Sequence, residues 1–209
     1  MAYQDDIKKA AALLLPWNKL SGCNILVTGA TGLIGGCLVD VLMAHKGRNY
    51  NVYASGRNEE RAGRRFLKYA DDNSFHFVKY DVAHPLEYDV NFQYIIHAAS
   101  GAYPEEFIKH PVEVIKGNIN GVDNLMGYGI QHGIKRLLYI SSGEVYGEGD
   151  GRVFTENYSG YVDCTSLRSC YPSSKRAAET LCISYGAEYG IDVVIARPCH
   201  VYGPGFTES

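Results

Sequence analysis

Short apolar runs that alternate with helical stretches are the feature that most constrains how this chain can fold. The runs are NILVTGA, NVYAS, FHFVKYD, YIIHAAS, RLLYISS and DVVIARP, and helical patterns such as LIGGCLVDVLMAHKG separate several of them. Strands that are apolar throughout are typical of a parallel sheet covered on both faces, and crossovers between parallel strands are right-handed. The sequence therefore predicts an α/β fold with a doubly wound parallel sheet.

A glycine-rich turn follows the first of these strands. TGATGLIGG places Gly29, Gly32 and Gly35 in G-x-x-G-x-x-G spacing, directly after a predicted strand and at the start of a predicted helix. Glycines at these points permit a tight turn and close approach of a ligand, and the amides of a helix N-terminus can bind a pyrophosphate. The turn predicts a Rossmann-like dinucleotide-binding domain, which we place at residues 21–209.

The end of the second strand bears on the choice of dinucleotide. An acidic residue about 20 positions after the last glycine would bind the ribose 2′-hydroxyl of NAD. Here that position is Ser55, and Arg57 follows two residues later. This local chemistry suits the 2′-phosphate of NADP, although Arg57 could equally be a solvated residue at a helix start. Ser55 and Arg57 are candidate cofactor-binding residues, and both dinucleotides remain open.

Two serines and a tyrosine–lysine pair predict the chemistry. ISSGEVYG places Ser141 and Ser142 at the end of the fifth predicted strand, and YPSSK places Tyr171 and Lys175 four residues apart. Residues at that spacing share one face of a helix, and the carboxyl edge of a doubly wound sheet is where ligands bind. An ammonium about 5 Å from a phenol would lower the phenol pKa from about 10. Tyr171 would then be a usable base for a substrate hydroxyl that Ser142 holds.

In their order along the chain, these motifs resemble those of the extended short-chain dehydrogenase/reductases that modify nucleotide sugars. The matching motifs are TGATGLIGG, HAAS, NINGVDNL, ISSGEVYG, YPSSK and ARPCHVYGPG, which lie between residues 22 and 205. The resemblance implies a catalytic triad of Ser142, Tyr171 and Lys175, in which Lys175 also bonds to the nicotinamide ribose.

The resemblance also implies a larger set of residues around the cofactor. By position these are Gly29, Gly32, Leu33, Ile34 and Gly35 at the dinucleotide, Asp81 and Val82 beside adenine, Ala98, Ala99 and Ser100 along the cleft, Asn118 in N-x-x-G, and Pro198 and Val201 near the nicotinamide.

The segment ENYSGYVDCTSLRSCYPSSKRAAETLC most resembles the UDP-glucuronate decarboxylases, in which the glutamate matching Glu144 assists chemistry after oxidation at sugar C4. A rim carboxylate without a role is the alternative for Glu144. Dehydratases carry an Asp-Glu pair here, and Gly143 replaces the aspartate, which argues against dehydration because a leaving hydroxyl needs an acid. Four-epimerases need neither acid and remain open. Ser142, Gly143 and His200, where decarboxylases have asparagine, are the predicted substrate-binding residues.

The predicted activity is oxidation of the C4 hydroxyl of a nucleotide sugar with bound NAD(P), followed by decarboxylation or epimerisation of a 4-keto intermediate. The resemblance implies NAD that is retained and recycled, so NAD is the expected cofactor, and NADP is the alternative that Ser55 and Arg57 suggest. The alternatives are an NADPH-dependent carbonyl reductase of the same fold and a non-catalytic regulator that senses the cofactor. Such regulators generally lack the tyrosine, which argues against the last. The resemblance further implies a homodimer that pairs the helix from about Pro111 with the Tyr171 helix.

Composition restricts the partners and the compartment. A net charge of −3 without a basic block argues against nucleic acid. No apolar run approaches the ~18 residues of a membrane span. The six cysteines form no C-x-x-C pair and no metal-type spacing with histidine, which predicts reduced thiols in a cytoplasmic protein and no metal site. His97 and His200 are predicted to pack or to line the cleft.

Both ends of the chain carry expectations of their own. Residues 1–20 predict a helical extension rather than a signal sequence, because the apolar run AAALLL is short and ends at Pro16. Members of the family that the motifs resemble run to roughly 300 residues or more, beyond a typical single domain. The resemblance therefore places most of a C-terminal substrate lobe outside this chain.

Overall fold

The computed structural model describes residues 2–203, in which six strands alternate with helices. The strands are β1 (Asn24–Thr28), β2 (Asn51–Gly56), β3 (Phe75–Lys79), β4 (Tyr94–His97), β5 (Arg136–Ile140) and β6 (Asp192–Ala196). The helices are α1 (Ala2–Ala11), α2 (Leu33–Ala44), α3 (Glu59–Phe66), α4 (Pro104–Lys109), α5 (Pro111–Gln131) and α6 (Cys170–Tyr189). Short 3-10 helices lie at Trp17–Leu20, Leu67–Tyr69, Gly143–Tyr146 and Leu167–Ser169. The last two residues of ARPCHVYGPG lie outside the described residues.

The strands form one sheet in the order β3-β2-β1-β4-β5-β6, and every neighbouring pair is parallel. From β1 the chain winds outward to β3 and then returns to β4 on the other side of β1. This order confirms the predicted doubly wound α/β fold. The reversal between β1 and β4 opens a crevice at the carboxyl ends of these two strands, which is where open α/β sheets bind their ligands.

Each face of the sheet carries its own apolar core. On one face, which we call the α2 face, side chains of α2 and α3 pack on β1 and β2, with Val39, Met43 and Phe66 among the buried residues. On the opposite α5 face, side chains of α5 and α6 pack on β1, β4 and β5, with Leu125 and Cys182 among them. The helix faces are apolar where they meet the sheet, so burial of both faces stabilises the fold.

A buried carboxylate, that of Asp40 in α2, helps to join the N-terminal helix α1 to the rest of the fold, together with the buried side chains of Ile7 and Ala11. Asp40 accepts hydrogen bonds from the hydroxyls of Tyr3 (2.6 Å) and Tyr69 (2.8 Å), and pairs with Arg65 (2.5 Å) and Lys68 (2.8 Å). Burial alone would raise the pKa of Asp40, but these partners outweigh it and lower the pKa to about 2. The Asp40 carboxylate therefore has partners on α1, on α3 and in the turn after α3.

Side chains on the α2 face of the sheet become more exposed to solvent towards the β6 edge. Val27, Ile96, Leu138 and Val194 form one row across β1, β4, β5 and β6, because each is paired in register with the next. Val27 is 0% exposed, whereas Val194 is 41% exposed. The apolar surface of the sheet at β6 is thus partly exposed to solvent.

Two further features concern the chain as a whole. Within residues 2–203, no helix combines the length and the apolar character that crossing a bilayer requires. All six cysteines are free thiols.

Candidate active site

The glycine turn after β1 is packed tightly against the end of β4. Gly29 has a φ of +65°, and a Cβ on it would lie 2.6 Å from the carbonyl oxygen of Ala98 and 2.7 Å from Cα of Ala99. A Cβ on Gly35 would collide with the carbonyl of Gly29. Only glycine fits at these two points, because the close atoms are backbone, and at Gly29 a φ of +65° would also strain other residues.

The residues of this turn fit the pyrophosphate of a dinucleotide. Gly32 is the exposed N-cap of α2, and a Cβ there would fill space beside Gly29, 3.2 Å from its carbonyl oxygen. Leu33 and Ile34 begin the helix and are half-buried. The first amides of α2 are available to an anion at the crevice, as the spacing predicts.

At the end of β4, His97 is a buried neutral side chain. Its Nδ1 lies 2.8 Å from the hydroxyl of Thr28 on β1, and its Nε2 is buried without a partner among residues 2–203. Burial lowers the pKa of His97 to about 3, with a further contribution from Lys175. His97 therefore carries no charge at neutral pH, and its ring lies beside the Tyr139 ring, with centroids 5.5 Å apart.

Three elements bring the predicted triad together at the carboxyl edge. Ser142 follows β5 and caps a 3-10 helix, where its Oγ accepts a hydrogen bond from the Glu144 amide (3.2 Å). Tyr171 and Lys175 lie in the first two turns of α6. Lys175 is 1% exposed, and its Nζ donates to the carbonyl of Ile140 (2.9 Å) and lies 5.8 Å from the centroid of the Tyr171 ring.

Burial is the main influence on the pKa values of Tyr171 and Lys175. It raises the pKa of Tyr171 above the ordinary value, and the hydroxyls of Ser142 and Ser100 beside the phenol lower it by less. Burial also lowers the pKa of Lys175 to about 7, against an opposing effect of Glu179. The raised pKa of Tyr171 differs from the lowering expected from the sequence, because one apolar pocket disfavours phenolate and ammonium alike.

An aromatic side chain that the sequence analysis missed covers Tyr171. Phe107 of α4 stacks on the Tyr171 ring with centroids 4.6 Å apart, and these two residues form a small core with Val114 and Cys170. No local sequence pattern indicates that Phe107 stacks on Tyr171, because this contact depends on the path of the chain between β4 and α5. The stack fixes the plane of the phenol ring from the side of α4.

A second missed residue, Arg168, holds the side chain of Glu144. Its Nη2 donates to Oε1 of Glu144 (2.5 Å), and its guanidinium lies 4.7 Å from the centroid of the Phe107 ring. Both side chains are partly open to solvent, at 49% and 40% exposure. The only sequence signal was a basic residue three positions before Tyr171. Glu144 is thus a paired carboxylate beside Ser142.

Ser100 and Asn118 form a polar chain to the first turn of α6. The hydroxyl of Ser100 donates to Oδ1 of Asn118 (2.8 Å), whose Nδ2 donates to the Ser174 hydroxyl (2.9 Å). Ser174 in turn donates to the carbonyl of Cys170 (2.6 Å). Asn118 is buried, so in this structure its side chain connects β4, α5 and α6 rather than lining the open crevice.

The segment after β6 crosses from the triad towards the glycine turn. The carbonyl of Pro198 accepts a hydrogen bond from the Gly143 amide (2.8 Å), while His200 and Val201 are exposed. A Cβ on Gly143 would lie 2.8 Å from Sγ of Cys199. At the other end of the segment, a Cβ on Gly203 would lie 3.7 Å from Leu33.

The remaining predicted residues lie beyond β1, on the β2–β3 side of the crevice, and are not brought to the triad. Ser55 is buried and Arg57 is exposed. Asp81 is half-buried and accepts a hydrogen bond from the Ala83 amide (3.1 Å), and the carbonyl of Val82 accepts one from Asn124 (2.9 Å). Within residues 2–203, no three histidine, cysteine or acidic side chains gather as a metal site would need.

Comparison with known proteins agrees with this geometry. A family model described as the NAD dependent epimerase/dehydratase family matches residues 25–209. The chain is 37% identical over 187 residues to UDP-glucuronic acid decarboxylase 6 of Arabidopsis thaliana, covering 88% of this chain and 52% of that protein. It is 34% identical over 182 residues to UDP-glucuronic acid decarboxylase 1 of Xenopus tropicalis, covering 86% and 41%. The chain thus spans about half the length, or less, of these two relatives.

Solved structures are similar over the same region. UDP-glucose 4-epimerase from Thermotoga maritima, determined with UDP-glucose, superposes with a TM-score of 0.68 at 25% identity, over 87% of this chain and 57% of that one. UDP-glucuronic acid 4-epimerase from Bacillus cereus, determined in complex with NAD, gives a TM-score of 0.68 at 26% identity with the same two coverages. These similarities confirm the resemblance that the motifs indicate.

Proposed function

This chain belongs to the NAD dependent epimerase/dehydratase family, and from that premise we propose that it is the dinucleotide-binding and catalytic part of a nucleotide-sugar enzyme. The domain comprises residues 21–209, with residues 1–20 as a helical extension. Its first reaction is oxidation of the sugar C4 hydroxyl to a ketone. The supporting observation is that Ser142, Tyr171 and Lys175 converge beside a glycine turn that fits a pyrophosphate.

Each member of the triad has a distinct task in this proposal. The bound dinucleotide supplies the hydride acceptor for the hydrogen on C4. In its phenolate form Tyr171 accepts the proton of the C4 hydroxyl, and Ser142 holds the same oxygen by a hydrogen bond. Lys175 holds the nicotinamide ribose and stabilises the phenolate when it is charged. Phe107 keeps water from one face of the phenol, because it is stacked on that ring.

NAD is the cofactor that the family description and the Bacillus cereus structure support. In this proposal Gly29, Gly32 and Gly35 hold the pyrophosphate with the first residues of α2, and Asp81 and Val82 flank adenine. Ala98, Ala99 and Ser100 line the cleft, and Pro198 and Val201 lie towards the nicotinamide. Asn118 acts by fixing Ser100 and α6, given its two hydrogen bonds.

Decarboxylation is the second reaction that the site supports best. A ketone at C4 of a uronic acid makes the C6 carboxylate part of a β-keto acid, which loses CO₂ readily. The two relatives quoted are named as UDP-glucuronic acid decarboxylases, and Glu144, held by Arg168, stands next to Ser142. Dehydration is disfavoured, because Cys199 occupies the space that an aspartate at Gly143 would need. Epimerisation at C4 remains the second candidate, since it requires only the triad.

A test of the triad compares two tyrosine variants of the protein that contains this chain, with UDP-glucuronic acid as substrate and NAD as cofactor. Tyr171→Phe keeps the stacking on Phe107 but removes the base, so turnover should fall by about 10² or more while the Kd of NAD barely changes. Tyr189→Phe, at the exposed end of α6, is the matched control and should leave turnover unchanged. Mass spectrometry of the product distinguishes loss of CO₂ from epimerisation. Near-normal turnover by Tyr171→Phe would contradict the assignment.

We further infer a homodimer built from the exposed sides of α5 and α6. Val112 and Ile115 on α5 and Ile183 on α6 are apolar side chains open to solvent, and burying them between subunits is favourable. Light scattering at micromolar concentration should give twice the mass of the subunit. A monomer would exclude the proposal.

The six free thiols support a reducing compartment, the cytoplasm, as the place where the protein functions.

A further inference from the structure

A second buried charge lies on α6 one turn after Lys175. The side chain belongs to Glu179, which is 7% exposed. Arg197, just after β6, donates from Nε to Oε1 of Glu179 (2.9 Å) and from Nη2 to Oε2 (2.7 Å). Residues four apart share one face of a helix. Glu179 is thus a carboxylate held at both oxygens on the face of α6 that carries Lys175.

The side chains of Lys175 and Glu179 are anchored at neighbouring points of the sheet. Lys175 donates to the carbonyl of Ile140, the last residue of β5 (2.9 Å). Glu179 is held by Arg197, which directly follows Ala196, the last residue of β6. Ile140 and Ala196 are paired in register, and neighbouring strands lie about 4.8 Å apart. The ammonium and the carboxylate are therefore brought close together at the carboxyl edge.

Four other titratable groups surround Lys175, and they come from three elements: Tyr139 of β5, His97 of β4, and Tyr171 and Cys182 of α6. Burial raises the pKa of the two phenols, raises the pKa of the thiol to about 12 and lowers the pKa of the imidazole to about 3. All four groups favour the uncharged form at neutral pH. Of the groups around Lys175 in residues 2–203, only Glu179 supplies a negative charge.

A buried ammonium depends on such a counter-charge, because removal from water disfavours the charged form. Burial lowers the pKa of Lys175 to about 7, and Glu179 acts in the opposite direction. The triad depends on this balance, since only a charged Lys175 stabilises the phenolate of Tyr171.

We propose that Glu179, held in place by Arg197, is a positioning residue that supplies the counter-charge of Lys175 and so keeps the triad in its active form. The inference rests on the proposed function, because Glu179 acts through Lys175 and Tyr171. It goes beyond that function by extending the reacting group to a second ion pair, one turn further along α6.

The direct test follows the titration of Lys175 by NMR in the protein that contains this chain, labelled with ¹³C at the lysine Cε. The signal missing from Lys175→Met identifies Lys175. We expect the midpoint, near pH 7 in the unmodified protein, to fall by about one pH unit in Glu179→Gln and by less in Glu179→Asp, which keeps the charge. Glu188→Gln removes an exposed carboxylate from the same helix and should leave the midpoint unchanged. An unchanged midpoint in Glu179→Gln overturns the inference.

Arg197→Gln provides a second arm of the same titration. It removes the positive charge beside Glu179 but retains an amide donor, so the midpoint of Lys175 should rise, opposite in sign to the change in Glu179→Gln. Loss of packing alone would not give opposite signs. If circular dichroism shows that Glu179→Gln is unfolded, Arg197→Gln decides, and an unchanged or lowered midpoint overturns the inference.

The pH profile of turnover tests the catalytic consequence. On the alkaline side, turnover of Glu179→Gln should begin to fall about one pH unit lower than that of the unmodified protein, because Lys175 loses its proton earlier. If the NMR midpoint moves and the profile does not, the inference fails and the proposed function stands. If Tyr171→Phe keeps near-normal turnover, the proposed function fails and the inference fails with it.

Discussion

Strands β1–β3 and strands β4–β6 form the two sides of one crevice, yet they are built differently. On the β1 side, backbone atoms determine the site: Gly29 and Gly35 leave no room for a Cβ, and the turn is bonded to the end of β2. On the β5 and β6 side, side chains from separate elements determine it, namely Ser142, Tyr171, Phe107 and Arg168. The β1 side of the crevice is therefore fixed by backbone conformation, and the β5 and β6 side by side-chain packing and charge.

The two sides also differ in how they are covered. In a single row of the α2 face, exposure rises from 0% at Val27 to 41% at Val194. The β1–β3 half has in addition the buried charge of Asp40. We expect the β1–β3 half to carry more of the stability per residue, and the β5–β6 half to tolerate substitution on its open face.

The largest effect should come from removing the buried charge. Asp40→Ala leaves Arg65, Lys68 and two tyrosine hydroxyls without their common partner, and should cost about 3–5 kcal/mol of unfolding free energy. Asp192→Ala on β6 is the control, since its pair with Arg136 is exposed and should contribute about 1 kcal/mol or less. Urea unfolding measures both. Equal losses would show that the two halves do not differ in this respect.

Substitution at the glycine turn should have the next largest effect on stability. Gly29→Ala combines a positive φ with a backbone collision, and we expect a loss of about 3 kcal/mol together with at least a tenfold rise in the Kd of NAD. Gly22→Ala is matched in conformation, with a φ of +70°, but has nothing within 4 Å of the added Cβ. It should cost about 1–2 kcal/mol and leave NAD binding unchanged. If Gly22→Ala weakens NAD equally, the close contact with Ala98 is not what shapes the turn.

Lowering the pH should also remove the stabilisation that the Asp40 charge provides, because it protonates the carboxylate. The pKa of Asp40 is held at about 2, below the ~3.9 of an unfolded aspartate. Because the folded pKa is the lower one, the stabilisation is complete above the unfolded pKa and is lost as the pH falls towards 2, by roughly 2–3 kcal/mol. Unfolding free energies of the unmodified chain and Asp40→Asn, measured between pH 6 and pH 2.5, should converge as the pH falls. A constant difference would contradict this.

The smallest expected effect concerns Val27 and Val194, the two ends of the row of paired residues on the α2 face. Val27→Thr buries a hydroxyl in the α2-face core and should cost about 1–2 kcal/mol. Val194→Thr makes the same change on the open part of the row and should stay within about 0.5 kcal/mol. Thermal or urea unfolding of the two variants gives the difference. A cost at Val194 that matches the cost at Val27 would mean that the β6 edge is covered in solution, for example by a second copy of the chain.

Local patterns were enough to predict the sheet, the glycine turn and the place of Tyr171 and Lys175. Strand and helix periodicities act within one element, and the turn and the Y-x-x-x-K pair are each contained in a few residues. Phe107 and Arg168 could not be found in this way, because their contact with Tyr171 and Glu144 depends on how separate segments cross. The raised pKa of Tyr171 also depends on burial, which no spacing reports.

The end of β2 shows where counting along the sequence fails. A count of about 20 residues from the last glycine ends at Ser55, whereas the side chain that would face Thr31 belongs to position 56. The count spans the connection between α2 and β2, whose length varies independently of the site. A shift of one residue along a strand exchanges a buried position for a facing one.

The α2-face core has a consequence for how the protein is made. All the residues of that core, including those packed at its margin, lie between Trp17 and Ile96, whereas the α5-face core extends to Ile195. On a ribosome that adds about 5–20 residues per second, the first core can close roughly 5–20 s before β6 is synthesised. The nascent chain can therefore complete the glycine turn before Tyr171 is translated.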